Sequence, residues 1–332
     1  MKSVRVASSI LALMLSATAF AAAPAYKIID RIKVPDGGFD YANFDPATNR
    51  VYMARTTFTT VIDVKTGAVS QLNSAAHGHM TLPIPGTTLA VLPQGQGMIR
   101  IVDLKTDTVV ADLPGGKNPD GATYDPSSKL VFVMNHSGGD STVVDPVKHT
   151  VVGTIPVGGT LEFPVADGAG KVFVNIEDQN KIGVIDVKTM KTVAYYPLAG
   201  CDGPTGLAYV SGAKLLVAAC DDVAKVIAAD TGKEIASLVI GGGADAAHYD
   251  AARHVVLIPC GETGELDIIS VADPAHISVI QKLPTQVGSR TGIVNPNTGR
   301  FYTIASKRGP APAGGGRAQA LPGSFEVLVV GP

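Results

Sequence analysis

One spacing constrains this chain more than any other feature. A short apolar run ending in aspartate recurs as Val61-Ile62-Asp63-Val64-Lys65-Thr66-Gly67, Ile101-Val102-Asp103-Leu104-Lys105-Thr106-Asp107 and Val143-Val144-Asp145-Pro146. It returns as Val184-Ile185-Asp186-Val187-Lys188-Thr189 and Ile227-Ala228-Ala229-Asp230-Thr231-Gly232. Successive aspartates stand 40, 42, 41 and 44 residues apart. A degenerate sixth copy is Leu266-Asp267-Ile268-Ile269-Ser270, and a seventh closes the chain as Val327-Leu328-Val329-Val330. The best-preserved unit, residues 157–198, holds four apolar runs at 163–166, 171–175, 182–186 and 192–196. Each is too short for a helix, rich in β-branched or aromatic residues, and bounded by Gly, Asp or Asn. Four strands per unit at this period predict an all-β, seven-bladed β-propeller with four-stranded antiparallel blades. Residues 26–34 alternate as a strand ahead of the first full unit, while the last unit lacks a fourth strand. The N-terminal strand is therefore expected to join the last blade and close the ring, which removes two free edges.

The N-terminus reads as a processing segment. Lys2 and Arg5 precede an apolar centre at residues 10–15, and Ala19-Phe20-Ala21 is a small-x-small cleavage site, so residues 1–21 are expected to be a cleaved signal peptide. The apolar centre is shorter than the roughly 20 residues of a membrane span, so no membrane insertion is expected. Removal of Lys2 and Arg5 from 27 basic residues leaves 25 against 29 acidic ones. That balance, with no basic stripe interleaved with aromatics, argues against nucleic acid as a partner. Residues 22–332 are expected to form a single propeller domain and a monomer, exported to the periplasm. Residues 307–322, rich in Gly, Pro and Ala, read as an insertion in the seventh blade. Two of the three cysteines can pair in an oxidising compartment. With a turn at residues 211–213, Cys220 falls near Pro204, so a bend brings Cys201 to it; Cys260 is the less suited partner.

The chain resembles the YncE-like, YVTN-type β-propeller proteins of bacterial periplasms. The resemblance rests on residues 39–46 (FDYANFDP), 117–121 (KNPDG), 161–168 (LEFPVADG), 203–207 (GPTGL) and 322–330 (PGSFEVLVV). It implies the fold over nearly the whole mature length and says little about chemistry, because a propeller hosts unrelated functions.

Superposing the seven units places one residue at the start of each inner strand: Asp40, His79, Asp120, Glu162, Thr205, Asp245 and Thr291. These are expected to face the central channel. A second ring, at the ends of the second strands, reads Thr56, Gln94, His136, Glu177, Cys220, Cys260 and Ser306. Arg55 and Arg290 are expected to add positive charge on the side of blades 7 and 1. The candidate ligand-binding residues are thus Asp40, Arg55, His79, Asp120, His136, Glu162, Glu177, Asp245 and Arg290. Imidazoles and carboxylates converging in this way suit a divalent metal or acid–base work. His77, His79, Asp120 and Glu162 are the metal-ligand candidates, and His248, His254 and His276 read as structural. Polar channel residues that only hydrogen-bond one another account for the same pattern.

No nucleophile elbow, Cys-x-x-Cys, haem-attachment motif or phosphate-binding glycine loop ahead of a helix occurs in the sequence. Two function classes follow. One is a non-enzymatic propeller that binds a periplasmic partner protein or a small polar ligand at the channel mouth. The other is a metal-assisted lactonase or lyase that uses the His/Asp/Glu cluster.

Overall fold

The computed structural model describes residues 25–310 and 318–332. The expected signal peptide lies outside the described residues, as does the middle of the 307–322 segment. The described residues form seven four-stranded antiparallel sheets arranged as the blades of a β-propeller. Within blades 1 to 6 the strand order follows the chain, from the channel outwards. In the fourth, the strands are Leu161–Ala166, Lys171–Ile176, Lys181–Asp186 and Lys191–Pro197, each extending the apolar run read from the sequence by one or two residues. Among the described residues, no helix is long and apolar enough to cross a membrane.

Blade 7 combines both ends of the chain. Lys27–Lys33 pairs antiparallel with Glu326–Gly331, which continues to Arg300–Ala305 and Ile293–Asn295. The closing strand is held at both ends: Gln281 of blade 6 accepts from the Tyr26 N–H at 2.8 Å and donates to its carbonyl at 2.7 Å. At the other end the Val34 N–H donates to the Phe325 carbonyl.

The recurring aspartate has a local cause. The side chains of Asp63, Asp103 and Asp145 each accept backbone N–H groups two and three residues ahead, and Asp186 accepts that of Thr189. A carboxylate there satisfies donors that a tight turn leaves free. The middle strands of each blade are buried on both faces, as in Val255–Cys260, because sheets pack on either side. The apolar clusters accordingly lie between blades; one joins Tyr41 of blade 1 to Met80, Val91 and Ile101 of blade 2 and Val131 of blade 3.

The Cys201–Cys220 disulfide is present, with Cα atoms 5.5 Å apart, and Cys260 is buried and free. The bridge ties the loop entering blade 5 to the end of that blade's second strand.

Candidate functional site

Three bulges aim the mouth carboxylates. In blades 1, 3 and 4 the register between first and second strands slips between Phe39 and Ala42, Pro119 and Ala122, and Leu161 and Pro164. The irregular stretches contain Asp40, Asp120 and Glu162. A bulge adds a residue to one strand and re-aims its side chain, which here brings acids from different blades together. Gly121 permits the crowding: a Cβ there would lie 2.9 Å from Pro164 Cδ and 3.2 Å from the Glu162 carbonyl.

The result is a continuous chain of contacts over blades 1 to 4. His79 Nδ1 lies 2.8 Å from Asp40 Oδ2 and 3.3 Å from Asp120 Oδ1. His136 Nδ1 lies 3.1 Å from Glu162 Oε1 and 3.9 Å from Asp120 Oδ2. The Tyr41 hydroxyl donates to Glu162 Oε2 at 3.0 Å. The hydrogen bond to Asp40 raises the pKa of His79, and that to Glu162 pushes His136 up to about 9. Burial, and then the Asp40 charge, raise the pKa of Asp120. Burial also raises Glu177, with Glu162 adding to it.

On the opposite side Arg290 Nε donates to Asp245 Oδ2 at 2.7 Å, and its guanidinium lies over the Phe39 ring at 5.0 Å. Burial still lifts Asp245 to about 6 against the pull of Arg290. The two threonines of the first ring do different work. Thr205 donates to the Ala244 carbonyl and Thr291 to that of Asp40, joining neighbouring inner strands.

Below this ring aromatic side chains form a floor that runs from blade 1 to blade 7. Tyr41 and Phe163 meet edge-on at 5.1 Å, Phe163 meets His248 at 6.1 Å, and His248 meets Phe301 at 6.0 Å. Burial pushes His248 down to about 4, so it is a neutral part of this floor. The mouth above this row is the cup. A cavity of about 330 Å³ opens at its side, lined in part by Asp40, His77, His79 and Gly95. A second cavity of about 310 Å³, lined in part by Asn43, Thr123, Phe163 and Tyr249, lies along the same inner strands.

Three expectations are corrected. Arg55 lines the side cavity, but its guanidinium is engaged by backbone carbonyls rather than left free as the expected mouth charge. It is 1% exposed, sandwiched between the Phe58 and Phe325 rings, and donates to the carbonyls of Pro35, Gly37 and Gly38 and to Thr60 Oγ1. The second ring is out of register. Phe39 pairs with Arg55, Gly78 with Gln94, Pro119 with Asn135, Leu161 with Ile176 and Ala244 with Cys260. Thr56, His136 and Glu177 thus stand one residue beyond Gln94 and Cys260, and alternation turns them the other way. Finally, His77 is exposed at φ 63° and lies outside both groups of converging ligand atoms. A left-handed residue breaks the alternation that would align it with His79. Glu177 sits in the short turn Glu177–Gln179, half-buried beside the cluster.

Sequence reasoning missed Tyr41 and Phe163. Each directly follows a first-ring acid, Asp40 or Glu162, and that shared offset was the available signal.

No family model matches this chain, and no curated protein does. Among solved structures it is similar to a chain of "Crystal Structure of Mitotic Checkpoint Complex", with a TM-score of 0.73 at 14% identity, over 90% of this chain and 96% of that one. At that identity the likeness speaks for the propeller fold alone.

Proposed function

We propose that the protein is an exported β-propeller that binds a small polar ligand, or a polar loop of a periplasmic partner protein, in the mouth cup without catalysis of its own. One observation carries the reading. Asp40, Asp120, Glu162, Glu177 and Asp245 gather from four blades above the aromatic floor, with His79, His136 and Arg290 as the counter-charges. An occupant that brings hydrogen-bond donors or positive charge relieves the cost of burying those carboxyl groups. A rigid ring presents them without reorganisation, which favours binding. The repeat motifs support membership of the YncE-like family. The disulfide and the basic, apolar and small-residue order of the N-terminus support export.

A thermal-shift screen of amines, amino acids, sugars and dicarboxylates tests the reading on the mature protein and on Glu162→Gln. Binders are expected to stabilise the first more than the second. Equal stabilisation of both by every binder would place binding elsewhere.

Metal-assisted lactone hydrolysis or lyase chemistry is a second reading, favoured by the two imidazole–carboxylate groups alone. It requires turnover of a lactone or elimination substrate that Zn²⁺ restores to the chelated protein.

A further inference from the structure

Asp120 stands at the centre of the cluster, between two imidazoles. It is 9% exposed, yet among the described residues it accepts no side-chain hydrogen bond. The imidazole nitrogens that face it take closer partners, His79 with Asp40 at 2.8 Å and His136 with Glu162 at 3.1 Å and the Leu161 carbonyl at 3.2 Å. A buried carboxylate whose facing imidazoles stand at 3.3 and 3.9 Å is only partly compensated, and a further partner would complete it. Its two oxygens face different imidazoles, Oδ1 towards His79 and Oδ2 towards His136, and each imidazole has a second carboxylate beside it.

Two ligand sets result, Asp40–His79–Asp120 and Asp120–His136–Glu162, each with its donor atoms within 4.8 Å of one another. Donors around one ion at about 2.0–2.2 Å stand roughly 3–4 Å apart, so side-chain adjustment alone closes either set. The surroundings hold the donors in place. A Cβ at Gly95 would lie 2.8 Å from His79 Nε2, so this glycine makes room for the far edge of the ring while Nδ1 faces the carboxylates. The Tyr41 hydroxyl occupies Glu162 Oε2 and leaves Oε1 towards His136. A partner that fixes one oxygen orients the other for a metal.

We propose that the cup is a paired divalent-metal site in which the Asp120 carboxylate bridges two ions, one completed by Asp40 and His79 and the other by His136 and Glu162. One imidazole and two carboxylates per position suit Zn²⁺, Mn²⁺ or Fe²⁺ better than Mg²⁺ or Ca²⁺, which prefer all-oxygen shells. Three protein donors leave each ion an open position towards solvent, where a polar ligand would attach. The proposal rests on the mouth-binding reading only for location: polar ligands that stabilise a chain unable to take up Zn²⁺ would sink the proposal and leave that reading standing.

The test is calorimetric titration of Zn²⁺ into the mature chain, purified without a histidine tag and stripped with chelator. Two equivalents are expected. His79→Gln and His136→Gln should each lose one equivalent and keep the other, and Asp120→Asn should weaken both by about tenfold or more. Circular dichroism verifies folding of each variant, and the two histidine variants decide the matter if Asp120→Asn does not fold. Mn²⁺ loaded to two equivalents should give a spin-coupled resonance spectrum that His136→Gln converts to that of an isolated ion. A stoichiometry other than two in the wild type, or uptake indifferent to these substitutions, would overturn the proposal.

Discussion

His248 makes an acid-side stability prediction that can be worked through. The ring lies between Phe163 and Phe301, and burial pushes its pKa down from 6.5 to about 4. Between those values the unfolded chain binds a proton that the folded protein refuses, so stability rises with pH across the window and is lost as pH falls through it. A window of about 2.5 pH units at about 1.4 kcal/mol each gives a loss of about 3 kcal/mol by pH 4. His248→Phe keeps an aromatic ring in the floor and removes the proton site. Other carboxylates also lose their turn hydrogen bonds in acid, so the informative quantity is the difference between the two proteins. Urea unfolding at pH 7, 5.5 and 4 should show the wild type losing about 3 kcal/mol relative to His248→Phe. Parallel stability curves for the two proteins would refute the buried neutral imidazole.

Deleting residues 26–34 should destabilise the whole ring, because it unpairs Glu326–Gly331 and frees the Gln281 clasp on Tyr26; cooperative unfolding at an unchanged urea midpoint would contradict closure. Arg55→Met should cost about 2–4 kcal/mol, since the carbonyls of Pro35, Gly37 and Gly38 lose their donor. Ligand affinity at the cup should change little, and a large affinity loss with intact stability would return Arg55 to the binding surface. His79→Ala and Glu162→Ala should impair binding, whereas Lys65→Ala and Lys188→Ala in the lower turns should alter neither binding nor stability.

The fold was legible because it is periodic. An aspartate that caps the same turn in blade after blade leaves a mark at a fixed spacing, and β-branched runs between such turns have few other uses. Ring closure followed from counting strands, since a blade short by one at the C-terminus matched a strand to spare at the N-terminus. The disulfide followed from placing Cys220 across a hairpin from Pro204. The site was only half legible. Asp40, Asp120 and Glu162 share a position in the repeat, so superposition found them. The bulges that aim them do not show in residue type, and a one-residue slip placed Thr56, His136 and Glu177 level with Gln94 and Cys260. Arg55 shows the limit most clearly: a charge beside a channel reads as a ligand contact, and only the surrounding carbonyls and rings reveal a buried clasp.

The claim that function resides in the cup of blades 1 to 4 is tested most directly by hydrogen exchange with mass spectrometry. The chain from residue 22 onwards is measured alone, with the best binder from the thermal-shift screen, and with Zn²⁺. Protection is expected in the segments that carry the cup, residues 36–43, 76–81, 116–122 and 158–163. The lower turns, residues 63–67 and 186–190, should exchange at unchanged rates. Protection confined to those lower turns, with the cup segments unaffected, would contradict the account.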